Sequence, residues 1–139
     1  MDKKELKEKV LGILDENKVG TLATIEENKP HTRYMTFLHE DLTLYTPTSK
    51  ATYKADEIKD NPNVHILLGY KGGGWDDPYV EIQGKAEIKE DRGLKEKFWM
   101  DEMKRIFNSP EDEDYIILKI QPQTIRYMDG EGTPAVLEL

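Results

Sequence analysis

The sequence has 139 residues, no cysteine, and 28 acidic residues against 20 lysines and arginines, giving a net charge of −8. The lack of cysteine excludes disulfides, thiol catalysis and thiolate metal ligands, and the acidic balance argues against nucleic acid as a partner. A length typical of one domain and a 37% share of hydrophobic residues predict one folded domain over residues 1–139. A charged N-terminus without a long apolar run predicts a cytoplasmic protein that does not bind or span a membrane.

The first half of the chain mixes helical and strand patterns. Apolar residues at the spacing of one helix face predict a helix over residues 2–17, with Asp2 as its N-cap. Alternating apolar residues then predict three strands separated by short turns. These strands cover residues 19–26, 31–38 and 42–46. A second helix is expected to begin at Thr48 or Ser49 and to end near residue 59, before Asn61 and Pro62.

The second half predicts three further strands and one helix. The strands cover residues 64–70, 79–90 and 115–128, the last one broken at Pro122. Residues 71–78 form a loop, and apolar residues on one side predict a helix over residues 91–107. Six strands with interspersed helices and short turns predict a small antiparallel barrel with helices packed outside it.

A cluster of hydroxyls and lysines opens the predicted second helix, and Arg33 lies on a nearby strand. Such donors, together with the backbone N–H groups and dipole of a helix start, can hold a phosphate monoester. Two other interpretations remain open. The helix residues Lys50, Thr52 and Lys54 can form the solvated face of an ordinary capped helix, and Arg33 can be a surface residue paired with a carboxylate.

The sequence contains no other pattern typical of a catalytic, metal-binding or phosphate-binding site. The three histidines have no metal-ligand spacing, so no metal site is expected. The glycine run at residues 72–74 is not followed by the Lys-Ser/Thr of a phosphate loop, so it indicates a hairpin tip. No Ser-His-Asp order or catalytic carboxylate pair stands out, so any redox chemistry would be supplied by a cofactor.

The order and spacing of these segments resemble the FMN-binding split barrels of the pyridoxamine 5′-phosphate oxidase superfamily. Among them, the short bacterial branch called the general stress protein family is the most similar. The resemblance runs from about residue 7 to residue 128. The segments that carry it are Arg33-Tyr34-Met35-Thr36-Phe37, residues 44–46, residues 54–58 with Asn61-Pro62, residues 80–86 and residues 107–127. It implies a mainly β fold with helices, namely a six-stranded antiparallel split β-barrel, with FMN bound at the interface of a homodimer.

The resemblance also implies which residues contact the flavin on the first strands. Arg33 would contact the flavin phosphate or ribityl chain. Tyr34, Met35 and Thr36 would lie along the isoalloxazine ring, with their backbone groups bonding its polar edge.

Further along the chain, the resemblance implies a phosphate site. Tyr45 and Thr46 fall where the family contacts the phosphoribityl side of the flavin. The alignment of the following loop leaves two positions for the phosphate. They are Thr52 with Lys54, and Ser49 with Lys50.

One departure from the family bears on function. The oxidase ends in an arginine-bearing segment that grips the substrate phosphate, whereas no lysine or arginine follows Arg126 here. The resemblance therefore implies a flavin-dependent oxidoreductase linked to stress response, acting on an unidentified small molecule, rather than a typical pyridoxamine 5′-phosphate oxidase. The alternative is a flavin-binding storage or sensor module without turnover. FAD or a deazaflavin in place of FMN also stays open.

Overall fold

The computed structural model describes residues 1–130 and 132–139, apart from the side chains of residues 53 and 54. Within these residues the chain forms three α-helices, one 3₁₀ helix and eight strands. In chain order they are α1 (Lys3–Glu16), β1 (Val19–Glu26), β2 (Lys29–Thr36), β3 (Leu38–Glu40), β4 (Thr43–Ser49), α2 (Tyr53–Asp60), β5 (Asn63–Gly69), β6 (Tyr79–Lys89), α3 (Arg92–Lys97), the 3₁₀ helix Asp101–Arg105, β7 (Tyr115–Met128) and β8 (Ala135–Glu138). No helix in the described part of the chain is long and apolar enough to cross a membrane.

The strands form one antiparallel sheet that curls into a split barrel. Their order is β2-β1-β5-β6-β7-β4-β3, and β8 pairs with the second half of β7. The two ends of this path, β2 and β3, are separated in the chain by Phe37 alone. Because one residue joins the two ends, the sheet has to bend until they meet. The predicted antiparallel split barrel is confirmed, although the described strands number eight rather than six.

The core follows the apolar pattern of the sequence. Alternate residues of the strands face inward, and the larger cluster of buried side chains also includes residues of α1 and α2. The predicted apolar face of α1 is buried, and Asp2 caps this helix by accepting a hydrogen bond from the Glu5 backbone N–H at 2.8 Å. A second buried cluster packs α3 and the 3₁₀ helix against β4 and β7.

Two predicted boundaries around β4 are wrong. Residues 31–38 were expected to form one strand, but the hairpin strand β2 begins at residue 29 and ends at 36, and a separate β3 follows. Thr48 and Ser49 lie in β4 instead of capping a helix, because β4 continues to pair with β7 through Ser49. Helix α2 therefore begins later, with Thr52 at its N-cap.

The predicted break at Pro122 is also wrong, because a bulge in β7 beside the proline lets the strand continue. Strand β7 runs without interruption, and the register of β6 shifts between Gln83 and Gly84 opposite Pro122. A Cβ at Gly84 would lie 2.5 Å from the Gln121 carbonyl oxygen, so only glycine permits this close approach. The bulge thus keeps the long strand in the sheet.

The predicted helix over residues 91–107 is divided in two. Its apolar residues Phe98 and Met103 are five positions apart in the numbering, which is too far round a helix to share a face. Instead of one helix, α3 ends at Lys97 and a 3₁₀ helix begins at Asp101. Both side chains are buried in the second cluster.

Candidate functional site

A cleft of about 520 Å³ opens where the ends of β2 and β4 meet the start of α2 and the segment that contains the 3₁₀ helix. Its volume lies in the ~300–1,000 Å³ range of small-molecule sites. Its lining residues are Val19, Tyr34, Met35, Thr36, Pro47, Thr48, Ser49, Thr52, Met100, Glu102, Met103, Ile106 and Phe107.

The two sides of the cleft differ in chemistry. All the threonine and serine hydroxyls, those of Thr36, Thr48, Ser49 and Thr52, come from the strands and the start of α2, which also contribute Val19, Tyr34, Met35 and Pro47. The opposite side, at residues 100–107, is apolar apart from the carboxylate of Glu102. An amphipathic ligand with an apolar part and a polar part matches this lining.

The start of α2 favours an anion at the polar side. Thr52 holds the N-cap position but makes no side-chain capping bond, because its hydroxyl donates to the Ser49 carbonyl at 2.8 Å. The Ser49 hydroxyl oxygen accepts from the Ala51 backbone N–H at 3.2 Å. The first N–H groups of a helix lack acceptors within the helix, and the helix dipole places partial positive charge at this end. This end of the cleft is therefore suited to a phosphate.

Half of the sequence-predicted ligand residues line this cleft together: Tyr34, Met35, Thr36, Ser49 and Thr52. The side chain of Lys54, predicted at the phosphate, lies outside the described residues. Lys50 points elsewhere, since its Nζ lies 2.9 Å from Glu90 Oε1, and that hydrogen bond raises the pKa of Lys50 above its ordinary value.

Tyr45 and Thr46 are buried behind the cleft and are not among its lining residues. The ring of Tyr45 stacks on Phe98 with 4.6 Å between the ring centroids. Thr46 is fully buried, and its hydroxyl has no hydrogen-bond partner in the described part of the chain. Such a buried, unsatisfied hydroxyl is uncommon and calls for an explanation.

Arg33 is not one of the lining residues of the cleft and contacts Glu57 of α2 instead. Its Nη1 donates to the Thr24 hydroxyl at 2.7 Å, and its Nη2 is 3.1 Å from Glu57 Oε2. The Arg33 side chain is only 15% exposed and that of Glu57 only 2%. The alternative that Arg33 pairs with a carboxylate is therefore correct as to the partner. The pair is largely buried, however, and not on the surface.

Glu57 stays ionised in spite of its burial. Desolvation by itself would raise the pKa of Glu57, but hydrogen bonds involving Thr24, Glu26 and Arg33 outweigh it, and the pKa is lowered. The pKa of Glu26 is raised, chiefly because its carboxyl is hydrogen-bonded to that of Glu57. The two carboxyl groups therefore influence each other's protonation.

The structure also brings His31 to these two carboxylates. The ligand atoms of Glu26, His31 and Glu57 all lie within 4.8 Å of one another. The histidines have no metal-ligand spacing in the sequence, yet the fold gathers two carboxylates around His31. Spacing in the sequence does not reveal the group, because Glu57 comes from a helix that follows β2 only after two intervening strands.

The apolar side of the cleft was not predicted from the sequence. Met103 and Phe107 were expected only to pack a helix, and Met100 and Ile106 were not singled out. The one signal available in the sequence was the five-residue spacing between Phe98 and Met103. This spacing indicates that the helix breaks between the two residues.

Tyr115 supports the apolar side from behind. Its ring lies 5.2 Å from that of Phe107 and 5.3 Å from that of Trp99, measured between centroids, and its hydroxyl donates to the Lys95 carbonyl at 2.8 Å. Burial raises the pKa of Tyr115 to about 12.

Alkaline pH is therefore expected to destabilise the protein through Tyr115. In the unfolded chain a tyrosine ionises near its ordinary pKa of about 10. The contribution of the buried hydroxyl is fully present below that pH and is lost as the pH rises towards the folded value, by up to ~2.7 kcal/mol. Urea unfolding of wild type and Tyr115→Phe over this range isolates the effect, because losing the hydrogen bond to Lys95 shifts the variant equally at every pH. Parallel curves for the two proteins would contradict the expectation.

Comparison with known proteins gives the family. A family model described as pyridoxamine 5′-phosphate oxidase matches residues 6–129. The chain is 54% identical to General stress protein 26 of Bacillus subtilis (strain 168), over 100% of both chains. The structure of General Stress Protein 26 from Bacillus anthracis str. Sterne superposes with a TM-score of 0.87 and 44% identity, covering 97% of this chain and 99% of that one.

A more distant relative shares the fold. A Clostridium acetobutylicum protein related to general stress protein 26 superposes with a TM-score of 0.82 at 20% identity, covering 100% of this chain and 97% of that one. At this identity the likeness shows the fold alone. The family match and the close relatives confirm the resemblance found in the sequence, and the chain belongs to the pyridoxamine 5′-phosphate oxidase family, with general stress protein 26 among its similar members.

Proposed function

We propose that this protein binds FMN in the cleft and acts as a flavin-dependent oxidoreductase on a small molecule. The observation that carries the proposal is the meeting of five predicted flavin residues at one cleft beside the start of α2. The residues present fit the cofactor, because hydroxyls and a helix start suit its phosphate and the apolar side suits its ring.

The phosphate is proposed to lie at Ser49 and Thr52. Both residues line the cleft, whereas Lys50 is turned towards Glu90. FAD would extend an adenylate outward from the same position, and a deazaflavin would share the phosphate contacts. An absorbance spectrum and release of the bound cofactor distinguish these three.

The isoalloxazine ring is proposed to lie along residues 34–36, at the free edge of the sheet. Strand β2 pairs with β1 on one side and has no ladder partner on the other among the described strands. Its outer N–H and C=O groups are thus placed to bond the donors and acceptors of the ring edge. Met100, Met103 and Phe107 would cover the apolar part of the ring.

A homodimer is part of the proposal. Tyr34, Val19 and Ile106 stand at the rim of the cleft with 78%, 59% and 74% of their surface exposed. Large apolar side chains gathered around a ligand cleft are typical of surfaces that a partner covers. A second copy of the chain would bury them and enclose the cofactor.

When bound, the flavin supplies the redox chemistry. The chain would orient the ring, bond its edge and exclude water. Oxidation of NADH or NADPH by the flavin-loaded protein separates the oxidoreductase from the alternative, a storage or sensor module without turnover.

Introducing a negative charge at Thr52 is expected to weaken FMN binding without harming the fold. Aspartate is a good N-cap, so Thr52→Asp preserves or strengthens α2. Its carboxylate would repel the phosphate and lower FMN affinity by about 10–100-fold, or ~1.4–2.7 kcal/mol. Fluorescence titration with FMN measures the change.

Thr52→Asn is the matched control, since asparagine has the shape and capping ability of aspartate without its charge. Riboflavin, which lacks the phosphate, should not distinguish the two variants. Equal FMN affinity of both would move the phosphate away from Thr52. A wild-type protein that binds no flavin would overturn the proposed function itself.

A further inference from the structure

The strongest unexplained feature is the group of Glu26, His31 and Glu57, none of which lines the cleft. His31 Nδ1 lies 2.7 Å from Glu57 Oε1 and 3.4 Å from Glu26 Oε2. Glu26 and His31 come from the two strands of the β1–β2 hairpin, and Glu57 comes from α2, which packs on β1. Three separate elements therefore bring an imidazole nitrogen and two carboxylates to one position.

The two oxygens of Glu57 have different environments. Oε2 accepts hydrogen bonds from the Thr24 hydroxyl and from Arg33. Oε1 is buried, and no hydrogen-bond donor in the described part of the chain is aligned on it, although His31 Nδ1 is so near. A hydrogen bond needs the N–H to point at its acceptor. A metal ion coordinated by both atoms would be a partner that satisfies the buried Oε1.

We propose that Glu26, His31 and Glu57 bind a divalent transition-metal ion, with Zn²⁺ as the best match. Imidazole favours zinc and its neighbours over magnesium or calcium, and carboxylates complete such sets. Ligand atoms at about 2.1 Å from zinc stand roughly 3.0–3.4 Å apart, so the 3.4 Å contact of His31 with Glu26 has this spacing and the 2.7 Å contact with Glu57 has to open slightly.

The surroundings fit such a site. Thr24 and Arg33 hold Oε2, which fixes the Glu57 carboxylate so that Oε1 faces the other two ligands, as partners of metal ligands generally do. The cation would offset the repulsion between the two carboxylates. His31 and Glu26 are partly exposed, so the ion has an entry path and room for a water ligand.

The test is a Zn²⁺ titration of the tag-free, chelator-treated protein by calorimetry, in the absence of flavin. We expect one saturable site per chain. Co²⁺ in place of Zn²⁺ should give the visible absorption bands of a nitrogen- and oxygen-ligated ion. Because no flavin is present, the result does not depend on the proposed function.

His31→Gln and Glu26→Gln change partly exposed residues, so both variants should keep the fold, which melting curves verify. Both are expected to lose the saturable site. Thr24→Val, which removes a bond that orients Glu57, should weaken binding by about 10–100-fold. The matched control is His65→Gln, since His65 also pairs with a glutamate, Glu81, at 3.7 Å, and should bind as wild type does.

The proposal is overturned if wild type shows no saturable binding, or if His31→Gln binds Zn²⁺ as well as wild type. It is equally overturned if the His65 variant loses the site instead.

Discussion

Replacing Glu57 with alanine is expected to lower the free energy of unfolding by about 3–5 kcal/mol, the usual cost of removing one partner of a buried ion pair. The variant would leave Arg33, itself largely buried, without the carboxylate it faces, and would remove the acceptor of the Thr24 hydroxyl. Urea unfolding in the presence of a chelator measures the change, so that no metal contributes.

Glu90→Ala provides the matched control, because the same substitution there breaks only the exposed pair with Lys50. Exposed pairs contribute about 0–1 kcal/mol, so this variant should unfold almost as wild type does. Similar losses for the two variants would contradict a special role for the buried network.

Saturation with FMN is expected to stabilise the folded dimer strongly. A ligand that binds only the folded state adds RT ln(1 + [L]/Kd), which is ~4.1 kcal/mol at a thousandfold excess over Kd. Melting curves with increasing FMN should therefore shift steadily upward, and sedimentation in the same solutions should show a dimer.

Thr52→Asp again serves as the control, since its weakened affinity should reduce the shift at equal FMN concentration. A melting temperature that does not respond to FMN would contradict the proposal. A monomer that binds FMN with full affinity would contradict the shared site.

Most elements could be predicted from local pattern, but their extent depended on neighbours distant in the chain. The apolar face of α1 and the alternation of β1 were sufficient to predict both elements. Pro47 and the hydroxyls after it have the composition of a helix start, yet they lie in β4 because residues 115–120 of β7 supply a partner strand. Pairing of that kind overrides local preference and has no local signature.

The candidate site divides in the same way. Residues 34–36, Ser49 and Thr52 were implied by the family resemblance, which rests on short consecutive segments of the sequence. The apolar side was not, since residues 100–107 reach the cleft only through the fold. Glu57 was also missed, because a charged residue on a helix usually faces solvent. Its burial is tolerable here because Thr24 and Arg33 on the adjacent hairpin bond its carboxylate.

The position of β7 affects how this chain emerges from the ribosome. Strands β4, β6 and β8 all pair with β7, which begins only at residue 115. Before β7 has been synthesised, a nascent chain that has already formed β4 and β6 exposes the edge of each strand that will later pair with β7. Such edges are templates for association with other chains. Synthesis therefore passes through a vulnerable interval, and a chaperone would be most useful to this protein just before its last long strand is complete.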